Sequence, residues 1–126
     1  MRPTRALLQA AVFKKTTGIF GYPVHPDPKP ALESLYSRIL HSLSKLPDSS
    51  TYKHSTHTLV NQRLNALKAA ESVAAFEAEI GAGQIEELIE HAETELSLIP
   101  KMVEWQVWQP LEVKPLPGQW KGFDSS

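Results

Sequence analysis

Apolar residues recur at intervals of three and four along three stretches of the chain, which is the spacing of one face of an α-helix. The first stretch predicts a helix over residues 31–46, whose apolar face comprises Leu32, Leu35, Tyr36, Ile39, Leu40, Leu43 and Leu46. Pro30 suits the start of this helix because a first-turn residue needs no backbone donor, and Pro47 is predicted to end it.

The second stretch predicts a helix over residues 51–70, and Asp48, Ser49 and Ser50 before it offer an N-cap. Its face is less regular and comprises Tyr52, Leu59, Val60, Arg63, Leu64 and Leu67. A short extra turn is predicted after it, carrying Val73, Phe76 and Ile80. Gly81 and Gly83 are predicted to end this turn, because glycine adopts positive φ at helix C-termini without strain.

The third helix is predicted to start near Gln84 and to continue to about residue 104. Its face comprises Ile85, Leu88, Ile89, Ala92, Leu96, Ile99, Met102 and Val103. Pro100 falls inside this pattern, where it removes one backbone hydrogen bond and crowds the carbonyl of Leu96. The sequence therefore predicts a kink or a short break at Pro100.

Two segments rich in proline flank the helices. Residues 18–30 contain two glycines and four prolines, which predicts an extended connector. Residues 105–126 place large apolar groups between Pro110, Pro115 and Pro117. Because exposed indoles are costly in water, the predicted partner-binding residues of this strap are Trp105, Trp108, Leu111 and Trp120. At least one tryptophan is expected to meet a partner, and the pattern does not say which.

No alternating apolar and polar run is long enough to predict a sheet. Three helices with short connections pack as an antiparallel bundle. The predicted fold is therefore all-α: a three-helix bundle over residues 31–104, an extended N-terminal connector over residues 18–30, and an extended Trp/Pro-rich C-terminal strap over residues 105–126.

Composition narrows the functional classes. With 126 residues the chain has room for one domain, and 41% apolar with 21% charged residues is typical of a folded chain. The sequence contains no cysteine, which excludes disulfides, thiolate nucleophiles and iron–sulfur ligation by cysteine. No apolar stretch approaches the roughly 18 residues that a membrane-spanning helix needs.

Charge is distributed unevenly along the chain. Residues 1–17 carry four basic residues and no acidic one, with apolar residues that could share a helical face. This combination is typical of a mitochondrial targeting segment, although a basic N-terminus without an address is the alternative. The sequence leaves open whether the segment is cleaved. Residues 69–100 have the opposite charge pattern, with eight acidic residues and no lysine or arginine.

Three groups of residues resemble chemical sites, but each is better explained as ordinary protein surface. His54 and His57 have the spacing of two zinc ligands on a helix, but a third ligand is not evident. The ridge of Glu86, Glu90 and Glu93 lacks the partners that acid–base catalysis needs, so a solvated or partner-facing edge is favoured. Tryptophans beside Lys101, Lys114 and Lys121 could stack on bases, but Glu104 and Glu112 dilute the positive charge. No catalytic residue, metal site, cofactor or nucleic-acid partner is predicted.

An ordered series of short motifs resembles a known family. Its most specific parts are GQIEE at residues 83–87 and KMVEWQVWQPL at residues 101–111, preceded by Thr17-Gly18, Leu35-Tyr36 and Arg63-Leu64. Together these resemble the alpha-subcomplex subunit 5 family of accessory subunits of mitochondrial NADH:ubiquinone oxidoreductase (respiratory complex I). Pro100 departs from the family pattern, where a helix-favouring residue is expected.

The resemblance implies a non-catalytic accessory subunit with a structural role in the assembly or stability of the peripheral arm. It implies a peripheral position at the mitochondrial inner membrane on the matrix side, and a core subunit of the iron–sulfur protein 3 type as partner. The alternative is a free-standing helical adaptor between proteins in the matrix or cytosol.

Overall fold

The computed structural model describes residues 14–122, so most of the predicted targeting segment and the last four residues of the strap lie outside it. Within that range the chain is all-α and has no strand. This described range contains four helices: α1 (Pro28–Leu43), α2 (Thr51–Ala69), α3 (Val73–Ile80) and α4 (Ile85–Trp105). The predicted all-α class is therefore confirmed for the described residues.

Helix α1 occupies the centre of the fold. It packs against both α4 and α2, and α2 in turn contacts α3. Every residue of the predicted α1 face is buried except Leu40, which is partly buried and packs against the core. The deepest core side chains come from all four helices: Leu32, Ile39, Leu43, Leu67, Phe76, Ile85, Leu88 and Ile99.

Helix α1 begins and ends three residues earlier than its apolar pattern indicates. Both Pro28 and Pro30 fit in its first turn, because neither position requires a backbone donor for an intrahelical bond. At the other end Pro47 disfavours helical backbone in the residue before it. The chain leaves the helix through a turn, with the Leu46 N–H donating to the Leu43 carbonyl at 3.0 Å, and Leu46 still reaches the core.

Helix α3 is a separate eight-residue helix where the sequence predicted only a short extra turn. The Ser72 hydroxyl caps its N-terminus by accepting a hydrogen bond from the Ala75 N–H at 3.2 Å. Gly81 ends it with φ at 65°, in the left-handed conformation predicted for this glycine. Phe76, which is fully buried, fixes α3 to the core.

Helix α4 runs without interruption through Pro100, so of the predicted kink or short break, the break is absent. Pro100 lies on the exposed side of the helix, while its neighbour Ile99 is buried in the core. The helix ends at Trp105 and is followed by its C-cap Gln106, whose φ of 51° is a left-handed conformation that is uncommon outside glycine. This residue turns the chain from α4 into the strap.

Across residues 14–122, none of the helices combines the length and the apolar character needed to cross a membrane.

Candidate functional site

The strap, described here over residues 105–122, leaves most of its apolar side chains in solvent. Of the four residues predicted to bind a partner, Trp105 is 59% exposed, Leu111 72% and Trp120 85%. Trp108 differs, because it is half-buried and packs against the helical core. The strap is thus anchored near its start and exposed further along.

Further apolar side chains of the strap are also exposed, namely Val107, Val113 and Leu116. The segment beyond Gln106 forms no helix or strand in its described part, and short turns shape it. One turn joins the Gln109 N–H to the Gln106 carbonyl at 3.0 Å, and another joins the Gln119 N–H to the Leu116 carbonyl at 3.1 Å. Because Pro110, Pro115 and Pro117 restrict the backbone, this surface is presented with reduced conformational freedom.

A second feature is a polar cluster that fixes the residues just before the connector to α3 and to the start of α4. It is here called the N-terminal clasp and is formed by Lys14, Thr17, Glu77, Gln84 and Glu86. The Lys14 ammonium donates to Glu86 Oε2 at 2.5 Å, to Gln84 Oε1 at 2.8 Å and to Glu77 Oε1 at 3.2 Å. The Gln84 side-chain amide donates to the Thr17 carbonyl at 2.5 Å. The clasp therefore joins residues from three separate parts of the chain.

The clasp places an ionised carboxylate in a buried position. Glu86 is only 7% exposed, and burial by itself raises its pKa. Hydrogen bonds from Lys14 and from backbone N–H groups, including that of His25, outweigh burial, so the pKa of Glu86 lies below its ordinary value. For Lys14, burial lowers the pKa, but the bonds to Glu86 and Glu77 prevail and raise it.

The sequence predicted that Glu86, Glu90 and Glu93 form a solvated or partner-facing ridge, and for the buried Glu86 this prediction is wrong. Glu90 and Glu93 are exposed as expected, and Glu90 lies close enough to the Tyr22 hydroxyl to raise its pKa by hydrogen bonding. Glu86 instead turns towards the connector, because Lys14 and the His25 N–H supply partners there. Helical spacing could not reveal this, since Lys14 lies 72 positions earlier in the sequence.

The two histidines considered as zinc ligands interact with different groups. The His54 ring contacts the Asp48 carbonyl at 2.5 Å, whereas the His57 ring contacts the Asn61 side chain at 3.0 Å. Among residues 14–122, no three histidine or carboxylate side chains are grouped as metal ligands would be. The exposed Lys101, Lys114 and Lys121 share this part of the chain with the exposed Glu104 and Glu112, which lie between Lys101 and Lys114.

The described residues thus define a small all-α protein with a compact helical core, an internally paired polar clasp and an apolar strap open to solvent. Residues 21–87 match the family described as the ETC complex I subunit conserved region. The chain belongs to this family.

Individual relatives extend the match beyond that region. The chain is 41% identical over 112 residues to NADH dehydrogenase (ubiquinone) 1 alpha subcomplex subunit 5 of Bos taurus, covering 89% of this chain and 97% of the relative. The subunit of the same name in Mus musculus is 39% identical over 112 residues, again covering 89% of this chain and 97% of the relative. Probable NADH dehydrogenase (ubiquinone) 1 alpha subcomplex subunit 5, mitochondrial, of Arabidopsis thaliana is 42% identical to this chain. That alignment covers 78% of this chain and 58% of the relative.

The family match covers part of the features described above. It contains α1, α2, α3 and the first turn of α4, including Gln84 and Glu86 of the clasp. It ends at residue 87, before the strap begins. The part of the helical core that α1, α2 and α3 contribute, and one side of the clasp, therefore carry the family's shared pattern, while most of α4 and the strap lie beyond it.

Proposed function

We propose that this chain is a non-catalytic accessory subunit of mitochondrial respiratory complex I, where it supports assembly or stability of the matrix-facing peripheral arm. Membership of the complex I subunit family supports this assignment, as do relatives named as alpha subcomplex subunit 5 that align over most of both chains. In this role the subunit carries no redox group and serves the transfer of electrons from NADH to ubiquinone by holding other subunits in place.

The exposure of the strap is the observation that carries the structural part of the proposal. Trp105, Leu111 and Trp120 are each more than half exposed on one proline-rich segment. A tryptophan can bury roughly 200 Å² of surface, so covering Trp120 is worth on the order of 4 kcal/mol before the costs of association. A permanent protein neighbour that covers the strap would recover this free energy.

The proposed neighbour is a core subunit of the iron–sulfur protein 3 type, as the resemblance of the sequence motifs implies. Trp105, Leu111 and Trp120 would contact it directly, while Trp108 would hold the strap against α4 and the core. The subunit would then lie peripherally at the inner membrane on the matrix side, attached through other subunits and not through a span of its own.

Native gel electrophoresis of the endogenous protein from mitochondria tests the proposal. A subunit of complex I is expected to migrate with a very large assembly and to co-purify with NADH:ubiquinone oxidoreductase activity. A free-standing helical adaptor is the rival function, and it would migrate near the chain's own 14.0 kDa. Quantitative migration at that small size under mild detergent would contradict the proposal.

A further inference from the structure

A cavity of about 100 Å³ opens between α1, α2 and α4, and none of the strap or clasp residues lines it. Its polar lining comes from all three helices: Tyr36 from α1, Thr56 and Arg63 from α2, and His91 and Glu95 from α4. The volume has room for about three water molecules at roughly 30 Å³ each, which is the scale of one small polar group.

Two residues that carry hydrogen-bond donors, Tyr36 and Arg63, line this cavity. Tyr36 is only 2% exposed, and its hydroxyl has no hydrogen-bond partner at bonding distance among residues 14–122. Burial raises the pKa of this phenol, while the neighbouring Arg63 guanidinium partly opposes that rise. Arg63 is half-buried and forms no ion pair with any residue in the range 14–122. The buried Tyr36 O–H therefore lacks an acceptor, and Arg63 adds N–H donors beside it that are partly open to solvent.

Glu95, which lines the cavity from α4, offers an acceptor. The Tyr52 hydroxyl donates to Oε1 of Glu95, and this bond, after burial, raises the pKa of Tyr52. The second oxygen of Glu95 accepts no hydrogen bond from the part of the chain that the structure describes. The cavity thus brings together a buried hydroxyl without a partner on α1, a half-buried guanidinium on α2 and a half-buried carboxylate on α4.

The geometry points to a binding site for a primary amide group in this cavity. The amide oxygen would accept hydrogen bonds from Arg63 and Tyr36, and the amide nitrogen would donate to Glu95. A carboxylate would satisfy the two donors but would meet the negative charge of Glu95. An ammonium group would satisfy Glu95 but would meet the positive charge of Arg63. A neutral primary amide carries an acceptor and two donors together, and so complements both sets of groups without a charge conflict.

Entry requires a modest rearrangement, because the Tyr36 hydroxyl is sealed from solvent. Arg63 is the flexible side chain beside it, and its rotation would expose the hydroxyl to the cavity. Leu59, which is 45% exposed, and the exposed His91 also line the cavity and connect it to the surface. The amide could come from an asparagine or glutamine of a neighbouring protein or from a small free molecule.

Titration of the full chain with acetamide tests the chemistry without requiring a partner. We expect saturable NMR shifts of the Tyr36 ring and the Arg63 side chain, and a much smaller response to acetate or methylammonium at equal ionic strength. Tyr36→Phe should weaken acetamide binding by about three- to tenfold, through loss of one hydrogen bond. Tyr22→Phe, which removes a hydroxyl outside the cavity, should leave the titration unchanged.

A second measurement, the unfolding temperature, distinguishes a loss of acetamide binding from a loss of folding. Because the Tyr36 hydroxyl has no partner within the described part of the chain, Tyr36→Phe should unfold at the same temperature as the unmodified protein or a higher one. No saturable acetamide response, an equal response to acetate, or unchanged acetamide affinity in Tyr36→Phe would overturn the inference.

The source of the amide is then decided in the assembled complex. If a neighbouring asparagine or glutamine fills the cavity, Tyr36→Phe should reduce incorporation of the chain into large assemblies relative to Tyr22→Phe. If a free small amide fills it, incorporation should be equal for both variants while acetamide binding still differs. This site is independent of the strap, so its failure would leave the proposed function untouched.

Discussion

The Lys14 ammonium lies 2.5 Å from Oε2 of Glu86 and so ties the start of the described chain to the first turn of α4. Glu86 is the more buried partner, with 5% of its side chain exposed against 29% for Lys14. The backbone N–H of Ile85 donates to Glu77 at 2.9 Å in the same place, so this end of α4 is held by several polar contacts at once. The clasp thus satisfies a buried charge inside the subunit.

Replacing Lys14 should destabilise the fold. Lys14→Ala leaves the buried Glu86 carboxylate without its cationic partner, which we expect to cost about 1–3 kcal/mol of unfolding free energy. The neighbouring Lys15 is exposed and provides a matched control, for which Lys15→Ala should change stability by less than about 0.5 kcal/mol. Urea unfolding of both variants measures the difference, and equal midpoints would show that the clasp contributes nothing.

The clasp should also make stability depend on pH. The pKa of Glu86 is lowered on folding, so its contribution is present above the ordinary value of 4.5 and is lost as pH falls through and below that value. Glu86→Gln should therefore be less stable than the unmodified protein at pH 7, and the gap should narrow at pH 4 and below. Urea midpoints over this range test the sign, and a gap that widens in acid would refute it.

Pro100 should be a cost to α4. Within a helix proline removes the hydrogen bond to the carbonyl four residues earlier, here that of Leu96, and its ring crowds that carbonyl. Because Pro100 is exposed, Pro100→Ala should restore the bond without disturbing the core and raise stability by about 1–3 kcal/mol. Lys101→Ala, on the exposed face next to it, is the control and should be nearly neutral. Destabilisation by Pro100→Ala would mean that packing depends on the proline.

Much of the fold was predictable because apolar periodicity is a local property. The faces of α1 and α4 follow directly from their spacing, and Ser50 caps α2 within the predicted capping segment by accepting from the Lys53 N–H at 3.3 Å. Helix boundaries were less predictable, because the apolar face of α1 continues to Leu46 after the helix itself has ended. Helix α3 was underestimated because its anchor is the single buried residue Phe76.

The polar interactions were hidden for a different reason. Glu86 has the same helical spacing as the exposed Glu90 and Glu93, and only its distant partner Lys14 distinguishes it. The cavity beside Tyr36 is equally invisible in the sequence, since it requires α1, α2 and α4 to be assembled. Trp108 shows the same limit within the strap. The sequence around it resembles that around Trp105, and only the folded structure shows that Trp108 packs against the core while Trp105 is exposed.

The central claim is that the exposed indoles of the strap hold this subunit in its complex. The most direct measurement compares two variants expressed in cells at equal levels: the double variant Trp105→Ala/Trp120→Ala and the control Glu112→Ala. Intact complex I is captured from each culture, and the amount of the variant chain in it is measured. Both changes lie at exposed strap positions, so the isolated chains should unfold alike. We predict at least about tenfold less of the double tryptophan variant in the complex and no loss for Glu112→Ala. Equal recovery of the two variants would contradict the claim.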